Sequence, residues 1–181
     1  MIEAIIYESN TGFTEKYAQM LSKKLNLPSC PAGKMKKTFS PGIEVIYMGW
    51  ICDKRIRGLE KVQKYLRIEA VITVGILSPT PGFIALLHQY NDLMDLPVFY
   101  LRGGIRREKL SISQKLILNL MAKKLAAPVK RGGLDSISNA DYQVVDSILH
   151  SNSFVKEQNL EEFLFWYRTQ TEVNPYNKPV I

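Results

Sequence analysis

Short apolar segments alternate with stretches of helical periodicity along most of the chain, and this alternation constrains the fold more than any other feature. The apolar segments are rich in β-branched residues and end at turn-forming residues; they cover residues 3–7, 43–48, 70–74 and 97–101, with a weaker segment at 27–30. Apolar residues recur at helical spacing between them, in 13–25, 54–67, 83–93 and 110–125. Strands of this kind, alternating with helices, predict an α/β fold whose parallel sheet is covered on both faces.

The length of the chain predicts one domain. Its 181 residues are enough to bury a single substantial core. Two further helical patterns, at 139–149 and 160–169, predict extra C-terminal helices, and the last ten residues show no regular pattern. We therefore expect one domain over residues 1–170, followed by an irregular tail at 171–181.

Several classes of protein are disfavoured by what the sequence lacks. It has no apolar run of the roughly 18–20 residues that a spanning helix needs, and its first residues do not resemble a signal peptide. Cys30 and Cys52 form neither a disulfide framework nor a metal-binding pattern, and His88 and His150 have no ligand partners at a suitable spacing. We expect a cytoplasmic protein without a metal site, and no side chain stands out as a catalytic acid, base or nucleophile.

The loop after the first strand has the chemistry of a phosphate site. It comprises Ser9, Asn10, Thr11, Gly12, Phe13 and Thr14, and a helix follows at once. The first turn of a helix presents backbone N–H groups without partners and the positive end of the helix dipole, which together bind phosphate. The three hydroxyl groups of the loop add donors, and Gly12 lets a ligand approach the backbone closely. The pattern matches neither a Walker loop nor the dinucleotide-binding Gly-x-Gly-x-x-Gly fingerprint.

This loop resembles the N-terminal signature of the flavodoxin family. The matching pattern is Ile5-Ile6-Tyr7-x-Ser9-x-x-Gly12-x-Thr14-x-x-x-Ala18-x-x-Leu21. The resemblance implies a flavodoxin-like three-layer sandwich with a five-stranded parallel sheet, and FMN as the cofactor, held by its phosphate at Ser9 to Thr14. The alternative interpretation is a helix cap that binds no ligand.

The same resemblance places two further loops beside the flavin, because ligands of doubly wound sheets bind outside the carboxyl ends of the strands. One loop contains Gly49, Trp50 and Ile51, and the other contains Gly75, Ile76 and Leu77. Trp50 is the natural residue to cover the isoalloxazine ring, since a flat aromatic suits a flat ligand. The alternative for Trp50 is packing on the helix predicted over 54–67. Backbone N–H groups at Gly75 and Ile76 would bind the pyrimidine edge of the flavin.

The charge distribution departs from that of typical electron-carrying flavodoxins, which are acidic. The formal net charge is +7, and residues 102–131 hold nine basic residues against one acid, Glu108. This basic and broadly apolar segment predicts peripheral contact with an anionic membrane surface or with a partner, the alternative being a solvated helix face. It lacks the interleaved aromatic residues that stack bases, so we do not expect nucleic-acid binding.

The basic segment is also similar to that of flavodoxin-like menaquinone-dependent protoporphyrinogen oxidases, which carry a Gly-x-x-Arg stretch and then a basic amphipathic helix. Here Gly103-Gly104-Ile105-Arg106 occupies that place. The chain departs from those oxidases because its stretch from 77 to 96 lacks their long insertion, so porphyrinogen oxidation is not assigned. The resemblance implies an FMN redox protein whose partner is a protein or a quinone. The alternative is a non-redox interaction module that docks through its basic helix.

Overall fold

The computed structural model describes residues 1–76, 78–80, 82–93, 95–126 and 151–173. Within these residues the strands are β1 (Ala4–Glu8), β2 (Ser29–Pro31), β3 (Glu44–Cys52), β4 (Arg55–Ile56), β5 (Arg67–Gly75) and β6 (Val98–Arg102). The helices are α1 (Phe13–Leu25), α2 (Met35–Thr38), α3 (Leu59–Gln63), α4 (Phe83–Asn91), α5 (Ile112–Ala126) and α6 (Glu161–Val173).

The five longer strands form one parallel sheet in the order β2-β1-β3-β5-β6. The short strand β4 is not part of this series, because it pairs antiparallel with the end of β3. Without β4 the order is 2-1-3-4-5, that of flavodoxin-like doubly wound sheets. The predicted α/β class and the five-stranded parallel sheet are therefore confirmed, and the chain reverses its direction of travel across the sheet between β1 and β3.

Two apolar cores cover the two faces of this sheet, because side chains of a strand alternate between its faces. On one face α1 and α6 pack through Tyr17, Leu21 and Phe163, all fully buried. On the other face α3 packs through Leu59 and Val62. The strands thus have helices on both sides, which accounts for their nearly continuous apolar sequences.

The prediction for residues 49–67 was wrong in its local structure. We expected a loop after residue 48 and a helix over 54–67, but β3 continues to Cys52 and turns back into β4. The only helix in that stretch is the five-residue α3. The apolar residues that suggested a helix are nevertheless all buried in one core; they are Ile56, Leu59, Val62 and Leu66. Their spacing therefore indicated which residues are buried, and it did not indicate a helix.

The short helix α2 lies where a polar, basic loop was expected, and the remaining elements differ from the predictions only at their ends. The helix over 13–25 is confirmed in full, while the weak strand at 27–30 lies at Ser29–Pro31. The helix α5 begins two residues later than predicted, and α6 runs to Val173 rather than 169. The predicted helix at 139–149 and the tail from 174 onward lie outside the described residues.

None of the helices in the described part of the chain is both long enough and apolar enough to cross a membrane.

Candidate functional site

A cavity of about 640 Å³ opens at the carboxyl edge of the sheet, and its walls are mainly apolar. The loop after β1, the end of β3, the end of β5 and the segment after β6 each contribute to it, with α4 and α5 at its sides. Its lining includes Asn10, Thr11, Phe13, Thr14, Trp50, Ile51, Cys52, Asp53, Lys54, Val74, Gly75, Ile76, Phe83, Tyr100, Gly104, Ile105, Leu110, Gln114, Ile117 and Leu118. The cavity therefore lies where doubly wound sheets bind ligands.

The loop between β1 and α1 turns sharply at Gly12, whose φ of 94° is in the left-handed region. Glycine adopts this conformation without the steric cost that a side chain brings. The backbone N–H of Gly12 donates to Oγ of Ser9 at 3.1 Å, which closes the loop on itself. Thr14, in the first turn of α1, is almost fully buried and lines the cavity. The positive end of the α1 dipole is thereby presented at the cavity edge.

A side-chain contact fixes the end of β1 against the first turn of α1. The hydroxyl group of Tyr7 donates to Oε1 of Glu15 at 3.1 Å. Burial is the main reason that the pKa of Tyr7 rises to about 12, and the hydrogen bond and negative charge of Glu15 raise it further. Tyr7 therefore remains a neutral donor at physiological pH, and the loop from Ser9 to Gly12 is anchored at both ends.

Trp50 lies in β3 rather than in a loop, and it is half-buried beside the cavity. The hairpin turn that follows has Asp53 and Lys54 at φ values of 50° and 62°. Two successive positive φ values are typical of a type I′ turn, which matches the twist of a tight hairpin. The returning chain brings Cζ of Arg57 to 5.8 Å from the Trp50 ring centroid, within cation–π range.

Another part of the cavity wall is aromatic, and it packs closely on Gly75. The rings of Phe83 and Tyr100 meet edge to face with centroids 5.6 Å apart. A Cβ atom on Gly75 would lie 2.3 Å from the Tyr100 hydroxyl oxygen, so only glycine admits this ring position. Burial raises the pKa of Tyr100, and the nearby charge of Arg102 opposes that rise in part.

The segment after β6 forms a further part of the cavity wall. The backbone N–H of Ile105 donates to the carbonyl of Asn152 at 2.9 Å, and that of Phe154 donates to the carbonyl of Gly103 at 2.7 Å. The next residue, Arg106, places its guanidinium Cζ 5.3 Å from the Phe13 ring centroid. From there the chain leads into α5, which adds Gln114, Ile117 and Leu118 to the cavity lining.

Eight of the twelve predicted site residues line this cavity; they are Asn10, Thr11, Phe13, Thr14, Trp50, Ile51, Gly75 and Ile76. Ser9 and Gly12 belong to the same loop but do not line it. Gly49 lies inside β3, paired with Glu8 on one side and Thr73 on the other. Leu77 is outside the described residues.

The aromatic wall and the contribution of α5 were not predicted from the sequence. Tyr100 could have been found from the two-residue alternation of β6, since Phe99 and Leu101 face the opposite core. Phe83 is the first residue of a helix that follows Gly82, and nothing in that local pattern indicates a ligand site. The approach of α5 depends on long-range packing, for which the sequence carries no direct signal.

No protein-family model matches this chain, and no curated protein matches it either. The residues that the structure describes contain no group of three or more His, Cys, Asp and Glu side chains able to hold a metal ion.

Proposed function

We propose that this protein is an FMN-binding, flavodoxin-like redox protein that acts in electron transfer or in flavin-dependent oxidoreduction. One observation carries the proposal. The loop with the phosphate-binding signature lines a single cavity together with residues of β3, β5 and β6 near the carboxyl ends of these strands. A helix N-terminus with threonine hydroxyl groups thus adjoins a mainly apolar, partly aromatic space. This combination suits a ligand with an anionic end and a flat ring system.

The residues of the cavity fit FMN in chemical type. Thr11, Thr14 and the N–H groups at the start of α1 would hold the phosphate, while Trp50 and Tyr100 offer aromatic faces or edges to the ring. The cofactor, when bound, supplies the electron and hydride chemistry, and the protein contributes binding, orientation and exclusion of water. Cavity volume agrees with this role, since small-molecule pockets span roughly 300–1,000 Å³.

An absorption spectrum tests the proposal. The purified protein is mixed with FMN and desalted, and we expect a retained flavin spectrum whose chromophore is released as FMN on denaturation. In the double variant Thr11→Ala with Thr14→Ala, retention should fall sharply because both hydroxyl groups assigned to the phosphate are lost. Ser40→Ala is the matched control, since Ser40 is exposed and remote from the cavity lining. A parent protein that stays colourless would overturn the proposal.

A second candidate function is that of a non-redox module that docks on an anionic lipid surface. The observation that favours it is an apolar stripe on α5, where Ile112, Leu116 and Leu120 recur every four residues and are 88, 60 and 52% exposed. Exposed lysines at 109 and 123 flank the stripe, and α5 contains no acidic residue. An apolar stripe between cations is typical of helices that lie on anionic membranes.

Sedimentation with lipid vesicles tests this second candidate. We expect binding to vesicles that contain phosphatidylserine, weaker binding at high salt, and loss of binding in Leu116→Ser with Leu120→Ser. The control is Leu86→Ser, which removes an exposed leucine from α4 instead. Equal binding to vesicles of phosphatidylcholine alone would contradict the docking mechanism.

A further inference from the structure

The guanidinium group of Arg106 lies against the loop that precedes α1. Its Nη1 atom is 3.5 Å from the position that a Cβ atom on Gly12 would occupy. Its Cζ atom is 5.3 Å from the ring centroid of Phe13, the first residue of α1. A residue that is distant in sequence thus brings a full positive charge to the N-terminal end of this helix.

The backbone before Arg106 is held in place, so this approach follows from the fold. Gly104 pairs with Ser153 in an isolated bridge, and Ile105 donates to the carbonyl of Asn152. Gly104 also packs so closely on Phe13 that an added Cβ would lie 2.8 Å from the ring atom Cζ. The Arg106 side chain therefore starts from a fixed point beside the loop.

The charge of Arg106 is not neutralised by the protein in the part of the chain that the structure describes. No acidic side chain there forms an ion pair with it. It also lies at the positive end of the α1 dipole, where a cation is electrostatically unfavourable. An anion at the loop would interact favourably with both the guanidinium group and the helix terminus.

We propose that Arg106 is the counter-charge for the ligand's phosphate, and that it makes the site selective for FMN over riboflavin. This inference rests on the proposed function and adds to it a residue that the phosphate-loop signature does not contain. A phosphate monoester carries a charge of about −1.5 to −2 at neutral pH, whereas riboflavin has no charge at that position. Arg106 therefore contributes to the binding of one flavin and not of the other.

Paired titrations of FMN and riboflavin test the role of Arg106 in the full chain, by flavin fluorescence. In Arg106→Gln we expect the dissociation constant of FMN to rise about tenfold, which corresponds to about 1.4 kcal/mol, while that of riboflavin is unchanged. Arg106→Lys keeps the charge and should retain most of the preference for FMN. The control is Lys109→Gln, which removes an exposed charge three residues away and should change neither constant.

A second readout is the rise in melting temperature that FMN produces, which should be smaller in Arg106→Gln than in the parent and should depend less on salt. Equal FMN affinity in the parent and Arg106→Gln would overturn the inference and leave the proposed function standing. An equal loss of FMN and riboflavin binding would also overturn it, because the effect would then be structural. If the parent protein binds neither flavin, the proposed function and this inference both fail.

Discussion

The side-chain oxygen of Asn91 accepts a hydrogen bond from the backbone N–H of Ile56 at 2.8 Å, and this contact joins the end of α4 to β4. The Nδ2 atom of the same side chain donates to the carbonyls of Lys54 and Leu87, each at 2.8 Å. One buried amide thus satisfies backbone groups in α4, in the turn and in the returning strand of the hairpin that carries Trp50. The position of the cavity wall therefore depends on a polar residue that does not line the cavity.

Replacing Asn91 by alanine should destabilise the protein by about 2–4 kcal/mol, because a buried N–H and two carbonyls lose their partner. Chemical denaturation monitored by circular dichroism measures this loss. The hairpin should also loosen, so the fluorescence maximum of Trp50 should move to longer wavelength in a Trp166→Phe background. Gln89→Ala on the exposed side of α4 is the control and should change stability by less than about 0.5 kcal/mol. Equal effects of the two substitutions would show that the hydrogen bonds of Asn91 contribute little.

The contrast between α1 and the hairpin shows what the sequence could predict. The limits of α1 were predictable because Gly12, the apolar repeat to Leu25 and the lysines of its last turn are all local signals. The hairpin turn at Asp53 and Lys54 carries no glycine, although both residues adopt positive φ. Tertiary contacts such as those of Asn91 hold this turn in place, and no short-range pattern records them.

The candidate site also has one part that could be predicted from the sequence and another part that could not. The loop before α1 could be located from the sequence because its six residues, Ser9 to Thr14, are consecutive. Tyr100 could have been inferred from the alternation of β6, but Phe83 and Arg106 could not, because they reach the site from α4 and from the segment after β6. Periodicity also failed to give the orientation of α5, whose apolar residues are divided between the cavity lining and an exposed stripe.

Gly75→Ala should disturb both stability and ligand binding, because the new Cβ would lie 2.3 Å from the hydroxyl oxygen of Tyr100. The Tyr100 ring must move, so we expect a destabilisation of about 1–3 kcal/mol, which is usual for overpacking. FMN affinity should fall as well, since Tyr100 lines the cavity. Gly33→Ala is the control, because a Cβ there meets nothing within 4 Å and φ is not positive. Unchanged stability in Gly75→Ala would mean that the Tyr100 ring can move aside at little energetic cost.

Tyr47→Phe tests a buried hydroxyl beneath the hairpin. This hydroxyl donates to the carbonyl of Arg57, and burial raises the pKa of Tyr47 far above its ordinary value of 10. At pH 7 the variant should lose about 1–2 kcal/mol, since a carbonyl loses its partner. The fold favours the neutral phenol, so its contribution is complete below pH 10 and declines as pH rises further.

The stability difference between the parent and Tyr47→Phe should therefore stay constant up to about pH 10 and narrow between pH 10 and pH 11, which urea denaturation at several pH values from 8 to 11 can measure. Tyr90→Phe is the control, because Tyr90 is 39% exposed and the loss of its hydroxyl group should change stability little at any of these pH values. A constant difference across the range would contradict the assignment of the raised pKa to Tyr47.

The two tryptophans give a direct test of the flavin position. Trp50 lines the cavity, whereas Trp166 packs on Phe99 and Phe163 in the core beneath α6. An indole in contact with the isoalloxazine ring quenches flavin emission, so bound FMN should be brighter in Trp50→Ala than in the parent. Loss of the aromatic contact should also weaken FMN binding roughly two- to thirteenfold, as expected for about 0.5–1.5 kcal/mol. Trp50→Phe should recover part of that affinity. The control Trp166→Phe should leave the emission and the affinity of bound FMN unchanged. If Trp50→Ala matches the parent in emission and in affinity, the role of Trp50 is only to pack against Arg57.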